Sequence, residues 1–168
     1  MSVLPQGWRW FHVTGNTYGT WLPGDPRGWR SRKHKVHVDG DYRDPPAPGA
    51  YDHLNAHSRS LLTRDAVLLT PDQRRVAGRA MVDRLLELNV RLLVLSCGRA
   101  HYHLLGGFSD HEVKPLVGRA KKNATFDLRE CGFEGRAWAR KSRPLPVGNR
   151  AHQRNVFEYI LDHAREGA

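Results

Sequence analysis

The stretch from Thr70 to Phe108 constrains the fold more than any other part of this 168-residue chain. Thr70-Pro71-Asp72-Gln73 is a complete helix start. It has a threonine cap, proline at the first helical position, and glutamine three residues after the cap. The pattern predicts a helix to about Leu88, with Ala77, Met81, Leu85 and Leu88 as its apolar stripe and Arg75, Arg79, Asp83 and Glu87 facing outward. Val90 to Ser96 (VRLLVLS) is a continuous apolar run and reads as a central strand covered on at least one face. Gly98-Arg99-Ala100 supplies a tight connection, and His101 to Phe108 is the partner strand of a hairpin.

The flanks complete the pattern. Trp8 to Tyr18 reads as a first strand, interrupted or bulged near Gly15. From Leu22 to about Ser60 the chain has little periodicity, and so long a structureless stretch is uncommon in a compact domain. Residues 22–60 are therefore expected to be an insertion after the first strand. His34, His37, His53 and His57 lie there, at spacings that match no familiar metal motif, and read as solvated loop residues. A second helix falls between Ser109 and Glu130. Ser109 and Glu112 offer a capping box, but Pro115 would interrupt a helix begun that early, so the regular part is expected from Pro115. Leu116, Ala120, Ala124 and Leu128 form its buried stripe, and Gly132 marks its end. Gly135 to Leu145 is a basic strand or hairpin, and a last helix runs from about Asn149 to Arg165. This order predicts a single α+β domain over residues 1–168. Its antiparallel sheet of four to five strands would carry helices mainly on one face, as in ferredoxin-like folds.

Charge narrows the partner. Lys and Arg total 27 against 17 Asp and Glu, a net +10, which points to a polyanion and to nucleic acid before a membrane surface. Five Trp, five Tyr and five Phe sit among these basic residues, and aromatic platforms of that kind suit unpaired bases. Cys97 and Cys131 have no CxxC spacing, which argues against a disulfide framework or thiolate zinc site. No run approaches a membrane span and no apolar signal region opens the chain, so the cytoplasm is the expected compartment.

Two separated elements carry candidate chemistry. In a strand, His101 and His103 of His101-Tyr102-His103 project to one side, with Tyr102 turned to the other. In the last helix, Tyr159 and His163 stack on one face. Val156, Phe157, Ile160, Leu161 and Ala164 group into a buried face, bordered by a stripe of His152, Asn155, Tyr159 and His163. Brought together, the two elements offer three imidazoles for a divalent metal and one phenol nucleophile. A phenol with its ordinary pKa of about 10 is a poor nucleophile at neutral pH until its anion is favoured. A cation polarises a scissile phosphate and stabilises charge on the phosphoryl oxygens. Imidazole ligands suit Mn²⁺ or Zn²⁺ more than Mg²⁺, which prefers oxygen. The fitting reaction is cleavage of a nucleic-acid phosphodiester.

These residues resemble the HUH single-tyrosine transposases, especially the REP-associated tyrosine transposases. HYHLLGGF is similar to the family's His-hydrophobic-His motif. NVFEYILDHAREGA is similar to its catalytic helix, where the ligand four residues after the tyrosine is commonly Asn or Gln and is His163 here. FHVTGNTYGTWLPGDPRGW also resembles a stretch in transposase-like members. The resemblance spans most of the chain outside 22–60. It implies a ferredoxin-like HUH fold and a divalent metal, Mg²⁺ or Mn²⁺, on His101, His103 and His163. It further implies cleavage and rejoining of single-stranded hairpin DNA through a 5′-phosphotyrosine on Tyr159, by a monomer or homodimer. From charge alone, Arg119, Lys121, Lys122, Arg136, Arg140, Lys141 and Arg143 are candidate DNA contacts, and His152 and Asn155 are candidates to line the site. Trp138 has two readings, a base-stacking platform or core. Two other functions fit the same residues: a catalytically idle module binding DNA or RNA hairpins, and a metal-dependent nuclease that uses water.

Overall fold

The computed structural model describes residues 4–27, 29, 47–109 and 111–165. Its elements are strand β1 (Trp8–Thr17), helix α1 (Asp52–Ser60), helix α2 (Pro71–Glu87), strands β2 (Arg91–Cys97) and β3 (His101–Ser109), helix α3 (Val113–Glu130), strand β4 (Trp138–Pro146) and helix α4 (Arg150–Arg165). The chain divides into two compact units, residues 18–67 and the remainder. No helix among the described residues is long and apolar enough to cross a membrane.

In the larger unit, four antiparallel strands lie in the order β2-β3-β1-β4. β3 thus sits between β1 and β2, which α2 connects, and β4 returns beside β1 after α3. This is the α+β sandwich expected from the element order, with the split βαβ connection of ferredoxin-like folds. α2 starts as its sequence dictates: Thr70 Oγ1 accepts from Gln73 N–H at 3.3 Å, and Gln73 Oε1 accepts from Thr70 N–H at 3.0 Å. It stops at Asn89, in the left-handed region at φ 58°. There the Asn89 and Val90 N–H groups close onto the carbonyls of Leu86 and Leu85. Gly132 ends α3 the same way, with φ 83° and bonds from Gly132 and Phe133 to Arg129 and Leu128.

α3 begins at Val113, earlier than expected. Pro115 is tolerated because first-turn N–H groups have no intrahelical partner in any case. The Ser109–Glu112 capping box does not form. Instead Ser109 Oγ donates to the Glu112 carboxylate at 2.9 Å, and no side chain caps α3.

Alternation along β1 and β3 gives the sheet two unlike faces. One face presents Phe11, Val13, Tyr102, Leu104 and Phe108, all buried, and takes α2 and α3. Gly78 of α2 lies against Leu95 and Cys97, while Lys121 of α3 reaches Ser142 beside Tyr102. Gly15 lets Tyr102 lie flat across β1: a Cβ there would stand 2.5 Å from the Tyr102 hydroxyl oxygen. The register of β1 against β4 shifts between Gly15 and Thr17, where an interruption or a bulge is expected, and the strand runs on through it. The opposite face takes α4, through a cluster of Leu105, Val156 and Ile160 with Trp10, Val94, Val147 and Phe157 against it.

Two expectations are corrected. β2 is an edge strand, not a central one. Ala164 is exposed, and the buried positions of α4 are Gln153, Val156 and Ile160.

In the smaller unit, Val67 N–H bonds to the Tyr18 carbonyl at 2.8 Å and ties the two ends together. The 22–60 stretch lies wholly within the bounds of this unit, and residues 52–60 form α1 where the sequence pattern is aperiodic. His53 and His57 are exposed on α1, while His34 and His37 lie outside the described residues.

Candidate metal and tyrosine site

β3 and α4 bring the site together across the α4 face of the sheet. His101 and His103 project from β3 as an i, i+2 pair, with ring centroids 5.0 Å apart. His163, in the last turn of α4, stands 5.0 Å from His101 and 4.8 Å from His103 by the same measure. Each histidine offers one ring nitrogen, and the three atoms lie within 4.8 Å of one another. Three histidines from two elements are thus close enough to hold a metal ion.

The chemistry of these rings fits that use. His163 Nδ1 is buried and has no hydrogen-bond partner among the described residues, an unmet lone pair or N–H that is costly to leave so. Burial first, then the neighbouring His101, His12 and His163, push the His103 pKa down to about 3. His103 is therefore neutral, and a neutral imidazole is the ligating form.

Tyr159 borders the cluster. Its ring is edge-on to His103 at 5.4 Å and to His163 at 5.2 Å, and the residue is 49% exposed. A phenol in that position is within reach of both the imidazole cluster and a ligand arriving from solvent.

His12 is the residue that sequence reasoning missed. It lies on β1 opposite Leu105, so its side chain shares the face of His103 on the diagonal. Its Nε2 is 3.0 Å from His103 Nδ1, with the two rings stacked at 5.3 Å. Burial lowers the His12 pKa, and nearby His152 adds to that. His12 falls inside the FHVTGNTYGTWLPGDPRGW stretch, yet nothing in that stretch assigns it a role, because its role depends on the register of β1 against β3.

The remaining candidates separate by position. Arg143 pairs with Thr14, which in turn pairs with His103, so the Arg143 side chain shares the histidine face two strands away. Arg136, Arg140 and Lys141 are exposed, and Arg136 Nε donates to the Trp138 carbonyl at 2.8 Å. Arg119 and Lys122 are exposed on α3, across the sheet from the histidines. Lys121 corrects the expectation of a DNA contact. It is 7% exposed, and its Nζ donates to the Ala139 carbonyl at 2.7 Å beneath β4. Its place on α3 between the buried Ala120 and Ala124 turns it to the sheet. Trp138 is core, 3% exposed and edge-on to Tyr102 at 5.4 Å. His152 and Asn155 are exposed on α4 outside the ring cluster, and His152 Nδ1 accepts from Gly148 N–H at 3.3 Å.

A scan against models of known protein families matches none, and a search of curated proteins finds no match to this chain.

Proposed function

We propose that the chain is a metal-dependent enzyme of the HUH single-tyrosine type, which cleaves and rejoins single-stranded hairpin DNA through Tyr159. The observation that carries this reading is the packing of a half-exposed tyrosine edge-on to two members of a three-histidine cluster. The +10 net charge supports a polyanionic substrate. His101, His103 and His163 would hold the divalent ion, Mn²⁺ or Mg²⁺, through one nitrogen each. Bound there, such an ion supplies positive charge for the phosphoryl oxygens and favours the anionic phenol. Three protein ligands fill only part of a coordination sphere, which leaves room for substrate oxygens.

Tyr159 Oη attacks the scissile phosphorus, forming an O–P bond as the phenol loses its proton. The bond from phosphorus to the 3′ oxygen breaks, and that oxygen leaves as a hydroxyl after taking up a proton. The product is a 5′-phosphotyrosine. The covalent link conserves the phosphodiester, so attack by a 3′-hydroxyl rejoins the strand without ATP. The exposure of Tyr159 permits both the entry of one strand and the exchange for another.

Labelled hairpin oligonucleotides incubated with Mn²⁺ or Mg²⁺ and resolved on denaturing gels test the proposal. The expected result is a protein–DNA adduct that Tyr159→Phe abolishes. Cleavage without an adduct means water is the nucleophile. Binding without cleavage leaves a recognition module and overturns the enzymatic reading.

A further inference from the structure

Asn16 of β1 stands beside the histidine cluster with no part in the steps at Tyr159. It pairs with His101 of β3, and strand alternation puts the two side chains on one face of the sheet. The pair is of the non-hydrogen-bonded kind, because the adjacent bond runs from the Thr17 N–H to the Ala100 carbonyl, at 2.8 Å. Side chains in such pairs are the closest across an antiparallel ladder, with Cα atoms about 4.5 Å apart. The Asn16 carboxamide therefore lies next to His101. Asn16 is partly exposed and makes no hydrogen bond or ion pair with a described residue. Asparagine is also a poor strand former, so local stability does not account for it.

Tyr159 approaches the cluster from the other end. Its ring is edge-on to His103 and His163, and also to His12 at 6.1 Å. His12 precedes Asn16 by four residues on the same face, about 13 Å along β1. Between them Thr14 pairs with His103, so the order along the sheet is His12, then His103, then His101 with Asn16. The phenol and the carboxamide thus flank the cluster from opposite ends.

That placement has a consequence for phosphoryl transfer, in which the attacking and leaving oxygens lie roughly in line through phosphorus. A phosphate bound at the cluster and attacked by Tyr159 Oη from the His12 end expels its 3′ oxygen toward the His101 end, where Asn16 stands. We infer that Asn16 is a catalytic residue that hydrogen-bonds the departing 3′ oxygen. This role rests on the proposed strand cleavage and adds to it a group for the leaving strand. As the bond from phosphorus to the 3′ oxygen breaks, negative charge gathers on that oxygen and the Asn16 Nδ2–H donates to it. A carboxamide keeps its own protons, so the proton that completes the 3′-hydroxyl comes from water. In the rejoining direction the same contact holds an incoming 3′-hydroxyl in line with the phosphotyrosine.

The test replaces the oxygen in question. The hairpin that gives an adduct with the full chain is remade with sulfur in place of the 3′ oxygen at the cleaved bond. A thiolate leaves readily and accepts hydrogen bonds only weakly. Single-turnover adduct formation by wild type and Asn16→Ala is then followed on both hairpins with Mn²⁺. Asn16→Ala is expected to slow the oxygen hairpin by about 10²–10³-fold, as loss of one such donor does, and the sulfur hairpin by less than about threefold. Its Mn²⁺ affinity in calorimetric titration should stay within about twofold of wild type, whereas loss of a ligand's support typically costs tenfold or more. Equal slowing of both hairpins would make Asn16 a general support of the site and overturn the inference. A loss of Mn²⁺ affinity would make it part of the metal site and overturn it as well. An adduct that forms at the wild-type rate in Asn16→Ala defeats this role alone. A wild type that forms no adduct with any hairpin defeats the chemistry at Tyr159 and this role with it.

Discussion

One proton decides what the His12–His103 pair can do. The bond between His12 Nε2 and His103 Nδ1 is 3.0 Å long, and either ring could donate. If His12 donated, the neutral His103 would carry its own hydrogen on Nε2 and have no lone pair left to bind an ion. If His103 donates from Nδ1, its Nε2 lone pair is free for the cluster, and His12 is the acceptor that fixes this tautomer. Ligating histidines commonly use their second nitrogen this way, and losing the partner typically costs about 10–100-fold in metal affinity. His12→Ala is accordingly expected to weaken Mn²⁺ binding by about that factor in calorimetric titration. His12→Gln, whose amide oxygen can accept the same hydrogen, should recover most of it. Equal losses in both variants would mean that His12 only fills space. The H-Y-H pair and the tyrosine–histidine spacing are legible in the sequence because each is set by the period of one element. His12 is not legible, because it meets His103 only through the pairing of strands 91 residues apart.

At the scale of elements, local signals carried furthest where the chain supplies its own partners. Thr70 and Gln73 cap α2 with no tertiary help, so its start was readable. β2 misled for a physical reason. It pairs only with β3, yet α2 lies against Leu95 and Cys97 on one face and the α4 cluster holds Val94 on the other. A strand covered on both faces is apolar throughout, wherever it lies in the sheet order. α1 was invisible because its nine residues bury only Ser58 and so show no apolar stripe.

Lys121 shows the opposite case, a basic residue that tertiary packing took out of solvent. Its ammonium joins α3 to β4, and burial, then Arg136, pull its pKa down to about 8 from 10.5. The unfolded chain keeps the ordinary value. Between about pH 8 and 10.5 the unfolded state therefore binds more protons, and the contribution of Lys121 to stability rises with pH across that window. Below pH 8 it is constant. Urea melts of wild type and Lys121→Met at pH 7 and pH 9.5 should show wild type gaining on the variant at the higher pH. An unchanged difference would place the lysine in an unshifted, solvated state.

For the whole molecule, the question is which part of the +10 charge faces the candidate substrate. Composition reports the total and is silent on direction, and the sheet supplies the direction. Arg143 shares a face with His103, whereas Arg119 and Lys122 ride on α3 across the sheet. Strands lie about 4.8 Å apart, so Arg143, two strands from His103, is roughly 10 Å from it laterally. That is a distance at which a bound backbone can touch both. A single-strand contact releases about 0.7 counterion per phosphate neutralised, and this sets the slope of log affinity against log salt concentration. Arg143→Ala should lower that slope by about 0.7 and weaken binding uniformly across sequences. Arg119→Ala, on the remote layer, should leave the slope unchanged, because at about 0.15 M salt charges beyond roughly 8 Å are largely screened. Anisotropy titrations of one hairpin from low to moderate salt check both variants at once. A larger slope change for Arg119→Ala than for Arg143→Ala would place the nucleic acid on the α3 side. The histidine cluster would then face away from its substrate, and the proposed chemistry at Tyr159 would have no strand to act on.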